Sequence, residues 1–316
     1  MGAGRFAPSP SGELHLGNLR TAILAWLFAR STGRDFLLRV EDLDRTRAGA
    51  EEVQLRDLRA IGLTWDGVAE RQTDRPAGFN RALEQLRSSG LLYECFCTRR
   101  DIADAPRAPH AAPGSYPGTC RDLSETERAR RRADRPAALR LRSSTQTFSV
   151  VDALAGEYTG VVDDFVIRRN DGVPAYNFAV VVDDHLQGID QVVRGDDLLP
   201  STPRQAYLAT LLGAPVPEYA HVPLVLNAEG QRLAKRDGAV TLGDLSSPFE
   251  VDGTQYDAVE PAEARDVLLA SLGLPAGPLE QALDAFDPAA LPRAPWIFDF
   301  PSTFGDASTG TPPRHA

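Results

Sequence analysis

Hydrophobic and polar positions change period along the first 45 residues, and the change predicts a β-α-β start. Arg5 to Pro8 reads as a short strand running into a turn at Pro8-Ser9-Pro10-Ser11-Gly12. From about Leu19 to Arg30 the residues Leu19, Ile23, Trp26 and Leu27 recur on one helical face, and Gly33 ends the helix. Phe36 to Val40 is a buried strand, followed by the acidic turn Glu41-Asp42-Leu43-Asp44. Strand, glycine turn, helix and strand in that order predict an α/β fold with a parallel sheet.

Helices are predicted near Ala50 to Ile61 and Ala77 to Ser89. Residues 103–118 are rich in Pro, Ala and Gly and read as loop. Ser124 and Glu127 form a capping box before an arginine-rich helix that Pro136 stops. Phe165 to Arg169 and Ala175 to Asp183 read as strands around the hairpin signal Asn170-Asp171-Gly172. The pattern implies a partly β module inserted between two halves of an α/β domain. A strand near Gln191 to Arg194, a helix from about Thr202 to Leu212 and a helix from Pro261 to Leu272, closed by Gly273, follow. The Pro-, Ser-, Thr- and Gly-rich residues 301–316 are expected to be disordered.

Composition changes this picture little, with three exceptions. The net charge of −10 opposes whole-protein steering toward nucleic acid, so any RNA would meet a local basic patch. Among 34 Lys plus Arg residues only Lys235 is lysine, which marks a position where a compact ammonium is needed rather than a guanidinium fork. All three cysteines lie between residues 95 and 120. No apolar run reaches the ~20 residues of a membrane span, and the Thr21 to Ala29 stretch lacks signal-peptide flanks, so a cytoplasmic protein with no membrane contact, and a monomer, is expected.

Candidate chemistry sits at the strand ends. His15-Leu16-Gly17-Asn18 opens a helix straight after a strand and turn, where free N–H groups and the helix dipole attract phosphate. Gly17 allows close backbone approach. Arg5, Glu41 and Arg194 each stand at or just beyond the end of a strand, where open parallel sheets bind ligands. Cys95, Cys97 and Cys120 supply three soft ligands where a zinc site needs four. By spacing and chemistry alone His110 is the favoured fourth ligand over Tyr116. Arg128, Arg130, Arg131, Arg132 and Arg135 crowd one helix; a solvated face and an RNA contact fit them equally.

The string from Arg5 to Asn18 resembles the first signature of glutamyl-type class I aminoacyl-tRNA synthetases, whose His-x-Gly motif binds ATP; Asn18 replaces the common second histidine. Gln231-Arg232-Leu233-Ala234-Lys235-Arg236 loosely resembles the second signature, and Lys235 falls on its key lysine. The segments Leu38 to Arg47, Tyr176 to Asp184 and Arg194 to Gln205 are similar to the family's pocket segments.

That resemblance implies a class I synthetase Rossmann-type domain with an inserted zinc-containing α+β module and a short helical C-terminal part. Residues 1–94 and 175–245 would be the catalytic halves, 95–174 the zinc-binding acceptor module and 246–300 the helical part. It implies glutamate contacts by Arg5, Ser9, Glu41, Tyr176 and Arg194. It implies ATP contacts, with Mg2+, by His15, Gly17, Asn18 and Lys235, with His15 and Lys235 catalytic. Tyr116-Pro117-Gly118-Thr119-Cys120 resembles a site where tyrosine is the fourth ligand of a structural Zn2+ beside Cys95, Cys97 and Cys120.

The short chain after Lys235 is similar to the truncated glutamyl-queuosine branch, which attaches L-glutamate to queuosine in tRNA(Asp). Charging of a tRNA 3′ end by a truncated glutamyl-tRNA synthetase, or silent RNA binding, are the competing readings.

Overall fold

The computed structural model describes residues 2–104, 116–231, 240–251, 254–299 and 303–304. Lys235 and His110 lie outside the described residues, as does nearly all of the 301–316 tail. In chain order the elements are β1 (Ala3–Phe6), α1 (Leu16–Ser31), β2 (Asp35–Val40), α2 (Ala50–Ala60), β3 (Glu70–Arg71), α3 (Pro76–Ser88), β4 (Leu92–Cys95), α4 (Arg99–Asp104) and α5 (Glu125–Asp134). Next come β5 (Ala138–Leu141), β6 (Thr147–Asp152), β7 (Gly156–Val161), β8 (Val166–Arg168), α6 (Tyr176–Leu186), β9 (Ile189–Gly195), α7 (Thr202–Leu212) and β10 (Glu218–Val222). The last are β11 (Val225–Leu226), α8 (Leu242–Leu245), β12 (Phe249–Val251), β13 (Thr254–Tyr256), α9 (Pro261–Ala270), α10 (Leu279–Asp284) and β14 (Trp296–Ile297).

The chain divides into two compact units. The first comprises residues 1–71, 191–197 and 219–316. Its strands are neighbours in the order β3-β2-β1-β9-β10, with β1 parallel to β2 and β2 parallel to β3. Helix α1 packs on β1 and β2 and receives α9 and α10 as well. It is therefore buried nearly all round, including Ala22, Leu24, Ala25 and Phe28, beyond the single stripe the sequence suggested. Cover from both sides removes the need for a polar face. The helix also starts three residues earlier than expected, because His15 caps it.

The second unit comprises residues 72–190 and 198–218. It holds the antiparallel sheet β4-β5-β8, the β6–β7 hairpin, and helices α3, α6 and α7 packed on one another. Here the sequence reading needs a correction: Ala175 to Asp183 is not a strand. Residues 176–186 form α6, and Phe178 through Asp184 are all buried. The β-branched run Val180 to Val182 favours a strand in isolation, but burial against α3 and α7 overrides so weak a preference. The turn at Asn170-Asp171-Gly172 does form, and Gly172 takes φ +89, but only a single bridge, Arg168 to Pro174, follows it. Among the described residues no helix is long and apolar enough to cross a membrane.

Candidate functional site

Three neighbouring strands carry the charged cluster of the first unit. Arg5 is on β1, Glu41 follows β2, and Arg194 is the penultimate residue of β9. All three are buried, at 4%, 8% and 5% exposure. Burying charge is costly unless it is paired, and each has a partner. Arg5 donates from Nη1 to the carbonyl of Val193 at 3.3 Å, which draws β1 to the residue beside Arg194. Arg39, fully buried, donates from Nη2 to Glu41 Oε1 at 3.2 Å. Arg194 donates from Nε to Nε2 of His221 at 3.1 Å.

The turn carrying Ser9 is tied down by backbone and side chain. The amide of Glu41 donates to the carbonyl of Pro8 at 3.0 Å, and that of Arg47 to Pro10 at 2.8 Å. Gln54 of α2 donates to the carbonyls of Ser9 and Gly12, at 3.0 and 2.6 Å. Ser9 itself is exposed.

The helix start is built on a reciprocal cap. His15 Nδ1 accepts from the amide of Asn18 and Asn18 Oδ1 accepts from the amide of His15, both at 3.3 Å. A nitrogen that accepts carries no proton, so the neutral ring presents Nε2–H as a donor. Asn18, the departure from the common second histidine, is what closes this cap. A Cβ on Gly17 would stand 3.1 Å from both Cε1 and Nδ1 of His15, so the absence of a side chain there gives the imidazole its place.

The segment that carries Lys235 is described at its two flanks. Gln231 closes a turn with Asn227, whose amide donates to its carbonyl at 2.8 Å, and Gly230 takes φ +74. On the far side, the carbonyl of Val240 accepts from the amide of Leu16 at 3.0 Å. Thr241 caps α8 and bonds both Glu13 Oε2 at 3.0 Å and Asp244 Oδ2 at 2.7 Å. The chain thus leaves that segment directly beside the His15 helix start.

In the second unit, Cys95 ends β4 and Cys97, Tyr116 and Cys120 fold back onto it. The three sulfurs lie within 4.8 Å of one another, with Cys97 and Cys120 3.5 Å apart. The hydroxyl of Tyr116 stands 3.4 Å from Cys95 Sγ and 3.7 Å from Cys97 Sγ. A tetrahedral zinc with bonds of about 2.0 to 2.3 Å separates its ligands by about 3.5 to 3.8 Å, so this donor set fits the ion in size and chemistry. The thiol of Cys120 holds Cys95 as thiolate, its pKa pushed down to about 4, with help from the Tyr116 hydroxyl and Arg140. Burial pushes Tyr116 up, and Cys95 pushes Cys120 up.

The surroundings grip the cluster. Arg140 lies over the Tyr116 ring, 3.7 Å from its centroid. Asp163 accepts from the Tyr116 amide at 2.9 Å, and Asp164 accepts from Tyr93 and Arg121, both at 2.7 Å. The arginine-rich helix faces the same way. Arg131 reaches Cys120 Sγ at 3.9 Å, Arg135 donates to the carbonyl of Phe96, and Arg132 clamps Glu94. Several of its guanidiniums thus brace the cysteine module.

The structure therefore places Arg5, Glu41 and Arg194 on or just beyond three neighbouring strands, sets His15, Gly17 and Asn18 in one cap, and gathers Cys95, Cys97, Cys120 and Tyr116. Tyr176 belongs to the second unit, at the first turn of α6, and is 45% exposed. Sequence reasoning missed Arg39, Gln54, His221 and Thr241. Arg39 left a signal, a charge inside the otherwise apolar strand Phe36 to Val40. Thr241 left one as well, the Thr-x-x-Asp pattern to Asp244 at the start of α8. Gln54 and His221 left none, because their partners are remote in sequence.

Residues 3–247 match the family described as tRNA synthetases class I (E and Q), catalytic domain. A glutamyl-Q tRNA(Asp) synthetase of Nocardia farcinica is 65% identical over 297 residues, 94% of this chain and 93% of its own length. A relative of the same name in Symbiobacterium thermophilum is 43% identical over 312 residues, covering 93% and 95%. A crystal structure of a glutamate tRNA ligase from Elizabethkingia meningosepticum, in complex with its amino acid, superposes with a TM-score of 0.77 at 29% identity. The match covers 94% of this chain and 67% of that one.

Proposed function

Because the chain belongs to the class I (E and Q) tRNA synthetases, and within them to the glutamyl-Q tRNA(Asp) synthetases, we infer that it activates L-glutamate with ATP and transfers it to queuosine in tRNA(Asp). The observation that carries this reading is the buried set of two arginines and one carboxylate on three neighbouring strands. Free glutamate has two carboxylates and one ammonium, so Arg5 and Arg194 complement the first and Glu41 the second. Ser9 completes the proposed glutamate contacts of the first unit.

Activation joins a glutamate carboxylate oxygen to the α-phosphorus of ATP and breaks the bond to pyrophosphate. His15 Nε2–H, with Gly17 and Asn18 at the same helix start, would face the nucleotide, with Mg2+ on the phosphates. Negative charge grows on the leaving pyrophosphate, and the ammonium of Lys235 would offset it. In transfer, a queuosine hydroxyl attacks the glutamyl carbonyl, an ester forms, AMP leaves and the hydroxyl proton passes to solvent. Cys95, Cys97, Tyr116 and Cys120 would hold one structural zinc that pins the second unit's loops.

The test has two stages. Glutamate should support ATP–pyrophosphate exchange with Mg2+ and without tRNA. Labelled glutamate should then pass to queuosine-containing tRNA(Asp), and not to tRNA(Glu) or queuosine-free tRNA(Asp). Label on either of the latter two overturns the transfer reading and leaves glutamate activation standing.

A further inference from the structure

His221 is buried at 3% exposure on β10, the strand beside β9. Its Nε2 accepts the hydrogen bond from Arg194 Nε, so in the neutral ring the proton sits on Nδ1. The imidazole stacks on Tyr219, with centroids 6.0 Å apart and planes at 23°. Arg194 lies over the same Tyr219 ring, 5.7 Å from its centroid. Tyr219 and His221 are two apart on one strand and so share a face. Together they form an aromatic mount that grips the guanidinium at Nε and along its plane.

A guanidinium can receive a carboxylate side-on, through Nε and one Nη, or end-on, through both Nη nitrogens. With Nε given to His221, the side-on mode is closed. We propose that His221 is a positioning residue for substrate binding, which turns Arg194 so that it takes a glutamate carboxylate end-on through its Nη nitrogens. The inference rests on the proposed glutamate site, in which Arg194 is a substrate contact.

Two substitutions separate this role from simple packing. His221→Phe keeps the stacked ring and loses the acceptor. His221→Gln loses the ring and returns an amide oxygen to about the place of Nε2. In glutamate-dependent ATP–pyrophosphate exchange, His221→Phe should raise the glutamate KM roughly tenfold or more, the scale of one lost hydrogen bond to a charged group. The ATP KM should hold, and His221→Gln should recover most of the loss. A wild-type glutamate KM in His221→Phe, an equal rise in the ATP KM, or a His221→Gln no better than His221→Phe would overturn the inference. Wild-type protein without any glutamate-dependent exchange would instead overturn the proposed function on which it rests.

Discussion

Arg140 lies over the face of Tyr116, its guanidinium carbon 3.7 Å from the ring centroid, while the hydroxyl of that ring stands among the cysteine sulfurs. A cation on the ring face holds the phenol in plane, and a further bond from Arg140 Nη1 to the carbonyl of Asp164 at 2.7 Å fixes the cation. Purified protein is expected to carry about one zinc per chain, as tetrahedral sites of this ligand type do. Tyr116→Phe should lose that zinc to a chelator faster than wild type, and His110→Ala should not. Cys95→Ser should lower the melting temperature before it lowers exchange activity. Metal analysis after dialysis against chelator reads the zinc content, and thermal melts beside exchange kinetics read Cys95→Ser; zinc loss in His110→Ala with retention in Tyr116→Phe would move the fourth ligand.

Gly17 and His15 share a space that only a glycine leaves open. Gly17→Ala places a methyl group 3.1 Å from the imidazole and 3.3 Å from Val225 Cβ, so the ring must shift by a few tenths of an ångström from its place in the cap. Exchange is expected to fall by roughly tenfold or more, in line with a misplaced catalytic group. The melting temperature should change little, since alanine suits a helix better than glycine. Steady-state kinetics beside a thermal melt make the comparison; a fall in both together would mean a folding defect.

Lys235→Arg keeps the charge and changes its shape. Its exchange kcat should drop by roughly tenfold or more while the glutamate KM holds, because the ammonium acts mainly on the leaving pyrophosphate. An unchanged kcat would reduce the lone lysine to a trait of composition.

Acid should uncouple one surface tie. The bond from Arg30 to Asp66, 2.6 Å long, and then one from the Phe36 amide hold the Asp66 carboxyl below its ordinary value of 3.8. A lowered carboxylate pKa stabilises the fold above the ordinary value, and the gain is lost as pH falls through the lower folded value. Asp66 is 42% exposed, so solvent screening limits the effect to about 1 kcal/mol or less. Asp66→Asn should therefore melt slightly below wild type at pH 7, and the gap should close below pH 3.8. A gap that persists in acid would assign the loss to packing.

Local chemistry decided what could be read from the chain alone. Helix α7 runs over the expected residues because Pro203 opens it and Gly213, at φ +70, closes it. Ser124 and Glu127 form the reciprocal cap of α5 for the same reason: both partners lie within one turn. The candidate chemistry was legible at His15, Gly17, Arg5, Glu41, Arg194 and the cysteines, since each stands where a strand or helix ends or in a short motif. Remote packing decided the rest. Residues 176–186 are helical because α3 and α7 bury them, which a run of valines does not disclose. His221 behind Arg194 and Arg140 over Tyr116 came together only when the chain folded and remote strands and loops met. A buried charge must be paired, but its sequence does not say by which residue; the fold chooses that partner.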